Sequence, residues 1–169
     1  MSVKPIEERY ALGNELDLTV PTSTQGYPLG MIYECEDSST KTIKKFMYIY
    51  GGGGLTAYVP YAISFASTSA QEITAITPAS FASPGSLICI PQVAFTSGYY
   101  GFVQIQGNCT AACGTVTATY NLICVTPYVT LTYASGTTTT STNTVGFMVD
   151  NTVAATSSIY LIGSRIVIA

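Results

Sequence analysis

Most of the chain alternates β-branched or aromatic residues with small polar ones, and clusters of glycine, proline or serine interrupt the alternation. A period of two places successive side chains on opposite faces of a strand, whereas helical periodicity is limited to the short stretch EERYAL. The pattern therefore predicts an all-β chain, folded as an antiparallel β-barrel or β-sandwich. The predicted strands are 29–35, 44–50, 58–65, 72–76, 86–90, 101–106, 115–124, 146–149 and 158–168.

Turn residues separate these segments. The sequence EDSST at 36–40 is a polar loop, and GGGG at 51–54 predicts a turn between the strands KFMYIY and TAYVPY. A glycine run can also cradle a phosphate, but this one lacks the Lys-Ser/Thr and the helix that follow a nucleotide-binding loop.

The first 28 residues differ from the rest because they carry many charges, three prolines and only short apolar pieces. We expect an extended N-terminal arm at 1–28, followed by a single β domain at 29–169. The piece LDLTVP can add as a strand to a neighbouring sheet, and a disordered tail is the alternative. The candidate anchoring residues are Leu16, Asp17, Leu18, Thr19, Val20 and Pro21.

Charge is scarce and unevenly distributed. Six basic and nine acidic side chains make up 9% of 169 residues, and beyond residue 45 only Glu72, Asp150 and Arg165 remain. A Thr/Ser-rich surface of a soluble sandwich is one explanation. The other is that protein chains cover the surface, because charged residues are depleted at the centres of interfaces. The net charge of −3 and the apolar runs, which are too short to span a bilayer, predict no nucleic-acid or membrane partner.

The stretch SGYYGFVQIQ at 97–106 is the strongest candidate for a contact surface. Alternation places Phe102, Gln104 and Gln106 on one face of a strand, with Val103 and Ile105 on the other. Uncharged amides can bond to a neighbour without desolvating an ion, and tyrosines suit interfaces. We expect Tyr99, Tyr100, Phe102, Gln104 and Gln106 to contact another subunit, unless the two tyrosines cap the end of the sandwich.

Catalytic chemistry has little support in this sequence. Histidine is absent, which removes the usual activated Ser and Cys nucleophiles, and nothing brings Glu72 and Asp150 together. The five cysteines are expected to be buried thiols in a reducing compartment, with a disulfide or a four-thiolate metal site as weaker alternatives. We therefore expect no enzyme activity, no cofactor and no metal.

Three segments resemble the capsid decoration (cement) or head-associated proteins of tailed bacteriophages. They are YPLGMIYECEDSSTKTIKKFMYIYGGGGLTAYVPYAIS, VAFTSGYYGFVQIQGNCTA and NTVGFMVDNTVAATSSIYLIGSRIVIA, and they lie within residues 27–169. The middle segment is the most specific. Such families often have Trp where Phe102 stands here.

The resemblance implies a virion structural protein that binds the major capsid protein on the outer surface of an icosahedral head. It also implies self-association, commonly as a homotrimer, and synthesis in the host cytoplasm. Two alternatives remain open at this point. One is a tail, neck or head-fibre component, and the other is a glycan-binding β module whose tyrosines stack on sugars.

Overall fold

The fold is known from a computed structural model. It describes residues 3–5, 18–37, 39–64, 72–75, 87–113, 122–125, 131–133, 144–149 and 156–163, with the backbone alone at 3–5, 64, 72–75, 122–125, 131–133, 144–145 and 147–148. The eleven strands are β1 (Val3–Pro5), β2 (Ile32–Asp37), β3 (Ile43–Gly51), β4 (Tyr61–Ser64), β5 (Glu72–Ala75), β6 (Leu87–Cys89), β7 (Tyr99–Ala112), β8 (Leu122–Val125), β9 (Leu131–Tyr133), β10 (Thr144–Met148) and β11 (Thr156–Leu161).

The strands pair in the order β6-β4-β5-β3-β7-β11-β10-β8-β9, and β2 pairs with both β1 and β3. All the pairings are antiparallel except the β3–β5 contact at Tyr50 and Glu72. The predicted all-β, antiparallel fold class is therefore confirmed. The described ranges contain no helix, and so none that could cross a membrane.

The β3–β7 pair is the centre of the molecule because it is buried on both faces. On one face, Met47, Ile49 and Val103 pack in an internal cluster with residues of β4 and β6. On the other face lies an aromatic cluster that includes Tyr48 and Phe102. Double burial explains why FMYIY in β3 reads as a continuous apolar run rather than an alternation. The internal cluster comprises Met47, Ile49, Leu55, Tyr61, Ile63, Cys89, Phe95, Val103 and Ile105.

Two predicted strands start too early for local reasons. The strand predicted at 58–65 begins only at Tyr61, because Tyr58 has a φ of 68° and bonds to Pro91 and Ala112 instead of a ladder partner. The strand predicted at 29–35 begins at Ile32, because Gly30 has a φ of 82°. Residues 65, 76, 86, 115–121 and 164–168 of the predicted strands lie outside the described residues.

The long strand β7 bends at a β-bulge, and the sequence does not signal it. Lys45 of β3 lies opposite Gln106 and Phe46 lies opposite Gln104, so Ile105 is the extra residue. Gly107 follows with a φ of 94°, and a Cβ there would collide with the Ile43 carbonyl oxygen. The bulge lets β7 pair first with β3 and then with β11. Two earlier glycines have other roles: Gly98 has a φ of 82° in the turn before β7, and Gly101, within β7, leaves room for the Phe95 ring beside the strand.

Replacing Gly107 with alanine tests the bulge. Gly107→Ala is expected to lower the free energy of unfolding by about 2 kcal/mol or more, because the new methyl group meets backbone and the φ is strained. Urea denaturation measures this loss. Gly53→Ala is the matched control, since a Cβ at Gly53 has no neighbour within 4 Å. An equal loss in both variants would contradict the assigned role of Gly107.

Candidate interaction surface

The aromatic cluster is built on the outer face of the β3–β7 pair. Phe102 lies 5.0 Å from Tyr48 between ring centroids, and Tyr27 meets Tyr48 edge-on at 5.3 Å. Tilted and edge-on pairs at these distances add to the free energy gained by burial. The ring of Tyr100 continues the cluster toward Tyr50, 5.0 Å away, at the end of β3. The cluster therefore runs from the interior out to the surface.

Residues 18–28 complete this cluster. The Thr22 and Tyr100 backbones exchange two N–H···O bonds of 2.8 Å, and the Gly26 N–H donates to the Tyr48 hydroxyl over 2.9 Å. Leu18 and Tyr27 pack against the cluster. These residues are part of the folded unit, so the boundary predicted at residue 28 does not separate an arm from the β domain. β1 also pairs with β2, and residues 6–17 lie outside the described residues.

The fold therefore brings the two predicted sets of contact residues together. Pro21 lies against Gly101, where a Cβ would stand 3.3 Å from the Pro21 Cα. Val20 is 56% exposed, the largest exposed fraction among the apolar side chains described. We call this region the tyrosine end, defined by Val20, Pro21, Tyr50, Tyr99 and Tyr100. All five are at least partly exposed, and none carries a charge.

Not every predicted contact residue reaches the surface. Phe102 is 5% exposed and belongs to the aromatic cluster, and Gln104 is 1% exposed. The Gln104 amide donates to the carbonyl groups of Gln106 and Asn108, so its side chain is used inside the chain rather than offered to a neighbour. The expectation that these two side chains face a subunit is corrected on that ground. Gln106 is half-buried, Thr19 is exposed, Leu18 is half-buried, and Leu16 and Asp17 lie outside the described residues.

The charged side chains that the structure describes all lie on the β2–β3 hairpin, and they form three ion pairs. Lys44 pairs with Asp37 at 2.6 Å, Lys41 with Glu36 at 3.6 Å, and Lys45 with Glu34. The described surface is therefore locally neutral. At about 3.4 Å per residue, Lys45 lies about 17 Å along β3 from Tyr50, which is about twice the screening length at physiological salt.

The Asp37–Lys44 pair is buried, with Asp37 3% and Lys44 7% exposed. Asp37 closes the hairpin, because its carboxylate also accepts hydrogen bonds from the Ser39 N–H and hydroxyl. The bonds from Lys44 and Ser39 hold the pKa of Asp37 well below its ordinary value. Nearby, burial raises the pKa of the Cys35 thiol to about 11. The four cysteines whose side chains are described, Cys35, Cys89, Cys109 and Cys113, are buried thiols.

Neither a metal site nor a known family identifies this surface. The described residues contain no group of three or more His, Cys, Asp or Glu that could hold a metal ion. No protein-family model and no curated protein matches the chain. One similar solved structure is that of the head fiber gp8.5 N base in bacteriophage phi29, with 12% identity and a TM-score of 0.48, covering 71% of this chain and 95% of that chain. A likeness at this level does not show a shared function.

The Tyr48 hydroxyl tests how residues 18–28 are held. Tyr48→Phe removes the acceptor for the Gly26 N–H, so we expect a loss of about 1 kcal/mol and faster amide exchange at Gly26. Hydrogen exchange followed by NMR measures both effects. Tyr50→Phe, at the exposed end of the same face, is the control and is expected to leave Gly26 exchange unchanged. Unaltered Gly26 exchange in Tyr48→Phe would refute the bond's role.

Acid is expected to destabilise the hairpin through Asp37. Because the pKa of Asp37 is depressed in the folded state, its stabilisation is complete above the ordinary value of 3.8 and is lost as pH falls toward the lower folded value. Asp37→Asn removes the carboxylate that pairs with the buried Lys44, which is expected to cost about 3–5 kcal/mol at neutral pH. Thermal unfolding from about pH 6 to about pH 2 measures this dependence.

Glu36→Gln is the control for that experiment, because it breaks the exposed pair with Lys41 and is expected to change stability by less than about 1 kcal/mol. If the unfolding temperature falls below pH 4 as steeply in Asp37→Asn as in the unmodified protein, another group is responsible for the acid sensitivity.

Proposed function

We propose that this chain is a bacteriophage structural protein that decorates the head, binding the major capsid protein on the outer surface and stabilising contacts between capsomers. The observation that carries the proposal is the neutral, half-exposed tyrosine end, opposite a hairpin whose charges are all paired with each other. Aromatic residues are enriched and charged ones depleted where proteins bind one another. The shell is named as the partner because of the three segments that resemble decoration proteins.

The tyrosine end is suited to a permanent contact rather than to a steered encounter. A surface without net charge gains little from long-range attraction, so association proceeds at the rate of neutral partners. Its free energy comes instead from burial of Val20 and the tyrosine rings. Several copies on one shell, or an oligomer touching several capsomers, would multiply a modest single contact by avidity.

The N-terminal residues are also part of this proposal, but the segment proposed to bind the shell ends before residue 18. Removing residues 1–28 would take Leu18, Tyr27 and the Gly26 hydrogen bond out of the aromatic cluster, and would therefore damage the fold. Removing residues 1–17 keeps Leu18, Tyr27 and Gly26 in the chain but takes away β1, which pairs with β2. We propose that residues 6–17, with Leu16 and Asp17 at their end, strengthen attachment to the shell.

Co-sedimentation with empty heads of the parent phage tests the proposal. Val20→Lys and Tyr99→Lys are each expected to weaken binding at least about tenfold, because a lysine must be desolvated in the contact. Ile162→Lys is the matched control, since Ile162 is 44% exposed and lies beyond β11. Binding of the unmodified chain is expected to change little between about 0.05 and about 1 M salt.

Failure of the unmodified chain to sediment with heads would overturn the proposal. Binding of Val20→Lys and Tyr99→Lys that equals that of the control would leave the shell as the partner and remove the tyrosine end as the contact. Electron microscopy separates head decoration from the neck, tail or head-fibre alternative. Density at many equivalent sites over the head supports decoration, and density restricted to one vertex or to isolated fibres contradicts it.

A further inference from the structure

The second half of β7 has two edges, and a strand pairs with only one of them among the described residues. Residues 107–112 form a six-residue antiparallel ladder with β11. On the other edge no described strand pairs with them. An open strand edge offers unpaired N–H and C=O groups to any other chain, and natural proteins therefore block such edges.

A glutamine side chain takes the place of a strand at Thr110. The Gln92 amide nitrogen donates to the Thr110 carbonyl over 3.1 Å, and the Thr110 N–H donates to the Gln92 amide oxygen over 3.2 Å. This exchange of two bonds with one residue is the arrangement of a hydrogen-bonded pair in an antiparallel ladder. The amide of Gln92 thus presents to β7 the same donor and acceptor as a peptide group would.

Three further backbone groups of β7, the Gln106 and Asn108 carbonyls and the Ala112 N–H, are also bonded from within the chain. The Ala112 N–H donates to the Tyr58 carbonyl over 2.7 Å, and the Tyr58 N–H donates to the Pro91 carbonyl over 2.7 Å. The Gln104 amide donates to the carbonyl groups of Gln106 and Asn108 at 3.0 and 2.9 Å. The two glutamines and Tyr58 therefore cover β7 from Gln106 to Ala112.

The backbone of Tyr58 has an unfavourable conformation, which indicates that its hydrogen bonds to this edge matter for the fold. A φ of 68° is unfavourable for a residue with a large side chain and persists only where the surroundings impose it. Here the two backbone bonds impose it, since they tie Tyr58 to Pro91 on one side and to Ala112 on the other. The strained backbone of Tyr58 lies where its carbonyl bonds to Ala112, at the end of the open edge of β7.

The composition explains why side-chain amides serve this purpose. Proteins commonly protect edges with lysine or other charges, but no Asp, Glu, Lys or Arg occurs between Glu72 and Asp150. The half-buried side chains of this part of β7 are instead asparagine, threonine and alanine, and none of them carries a charge that would repel an identical strand. We propose that the Gln92 amide and the Tyr58 carbonyl replace a neighbouring strand along this edge of β7, and so keep the edge from pairing with a second copy of the chain.

Two substitutions of Gln92 test this protective role. Gln92→Ala uncovers both Thr110 groups, and we expect the folded variant to form concentration-dependent assemblies that are larger than those of the unmodified chain and bind a cross-β dye. Gln92→Glu also loses the donor to the Thr110 carbonyl, but it places a charge at the edge and is expected to keep the unmodified assembly state. Light scattering after size-exclusion chromatography, below the unfolding temperature of each variant, measures the result.

The exposed Gln25 provides a matched control, since its amide bonds to the Tyr27 carbonyl and not to the backbone of β7, and Gln25→Ala is expected to leave assembly unchanged. Equal association of Gln92→Ala and Gln92→Glu would assign the effect to lost stability and overturn the proposal. Association of neither would overturn it as well. In the unmodified chain the Thr110 amide is expected to exchange slowly, and exchange at the rate of an exposed amide would refute the cover even if no variant folds.

Discussion

The pairing of β3 with β7 is the contact on which the rest of the molecule depends. Their side chains supply both hydrophobic clusters, because alternate residues of the same two strands point to opposite faces. Met47 and Val103 pack against residues of β4 and β6, while Tyr48 and Phe102 pack on the other face against residues 18–28. Any change that separates β3 from β7 therefore removes the internal cluster and the aromatic cluster together. The candidate surface is the exposed end of the same pair.

The charged side chains that the structure describes stabilise local structure. The six charged side chains that the structure describes are joined within one hairpin, where the buried Asp37–Lys44 pair closes the turn and the other pairs lie toward solvent. Tyrosine and glycine, with the valine of the neighbouring segment, lie at the opposite end of β3. This separation of charge from the candidate surface is the physical basis for proposing a neutral protein partner, since a charged partner surface would lose its water without gaining a counter-charge.

The glutamines show how one residue type can be misassigned from sequence. An alternating strand with Gln104 and Gln106 predicts amides facing outward, and amides facing outward suit a protein contact. In the folded chain the bulge at Ile105 turns the strand, and the Gln104 side chain bonds to two carbonyl groups of its own strand. Gln92, in a segment with no evident pattern, bonds to Thr110, which lies 18 residues further along the chain. Amides whose partners lie inside the chain cannot be recognised without the coordinates.

The sequence alone determined the all-β class, the approximate positions of most strands and the polar and glycine turns, because these follow from local alternation and from residues that favour turns. It also indicated Val20, as part of the possible added strand LDLTVP, and Tyr99 and Tyr100, as tyrosines in an uncharged stretch, as contact residues. Only the tertiary structure decided that residues 18–28 pack on β7, that Phe102 and Gln104 are buried, and that Tyr58 lies in a turn before β4 rather than at the start of a strand. Those outcomes depend on hydrogen bonds and packing between residues far apart in sequence, such as Thr22 with Tyr100 and Tyr58 with Ala112. Local patterns carry no information about such pairs, and so only the folded structure shows which contacts shape the surface.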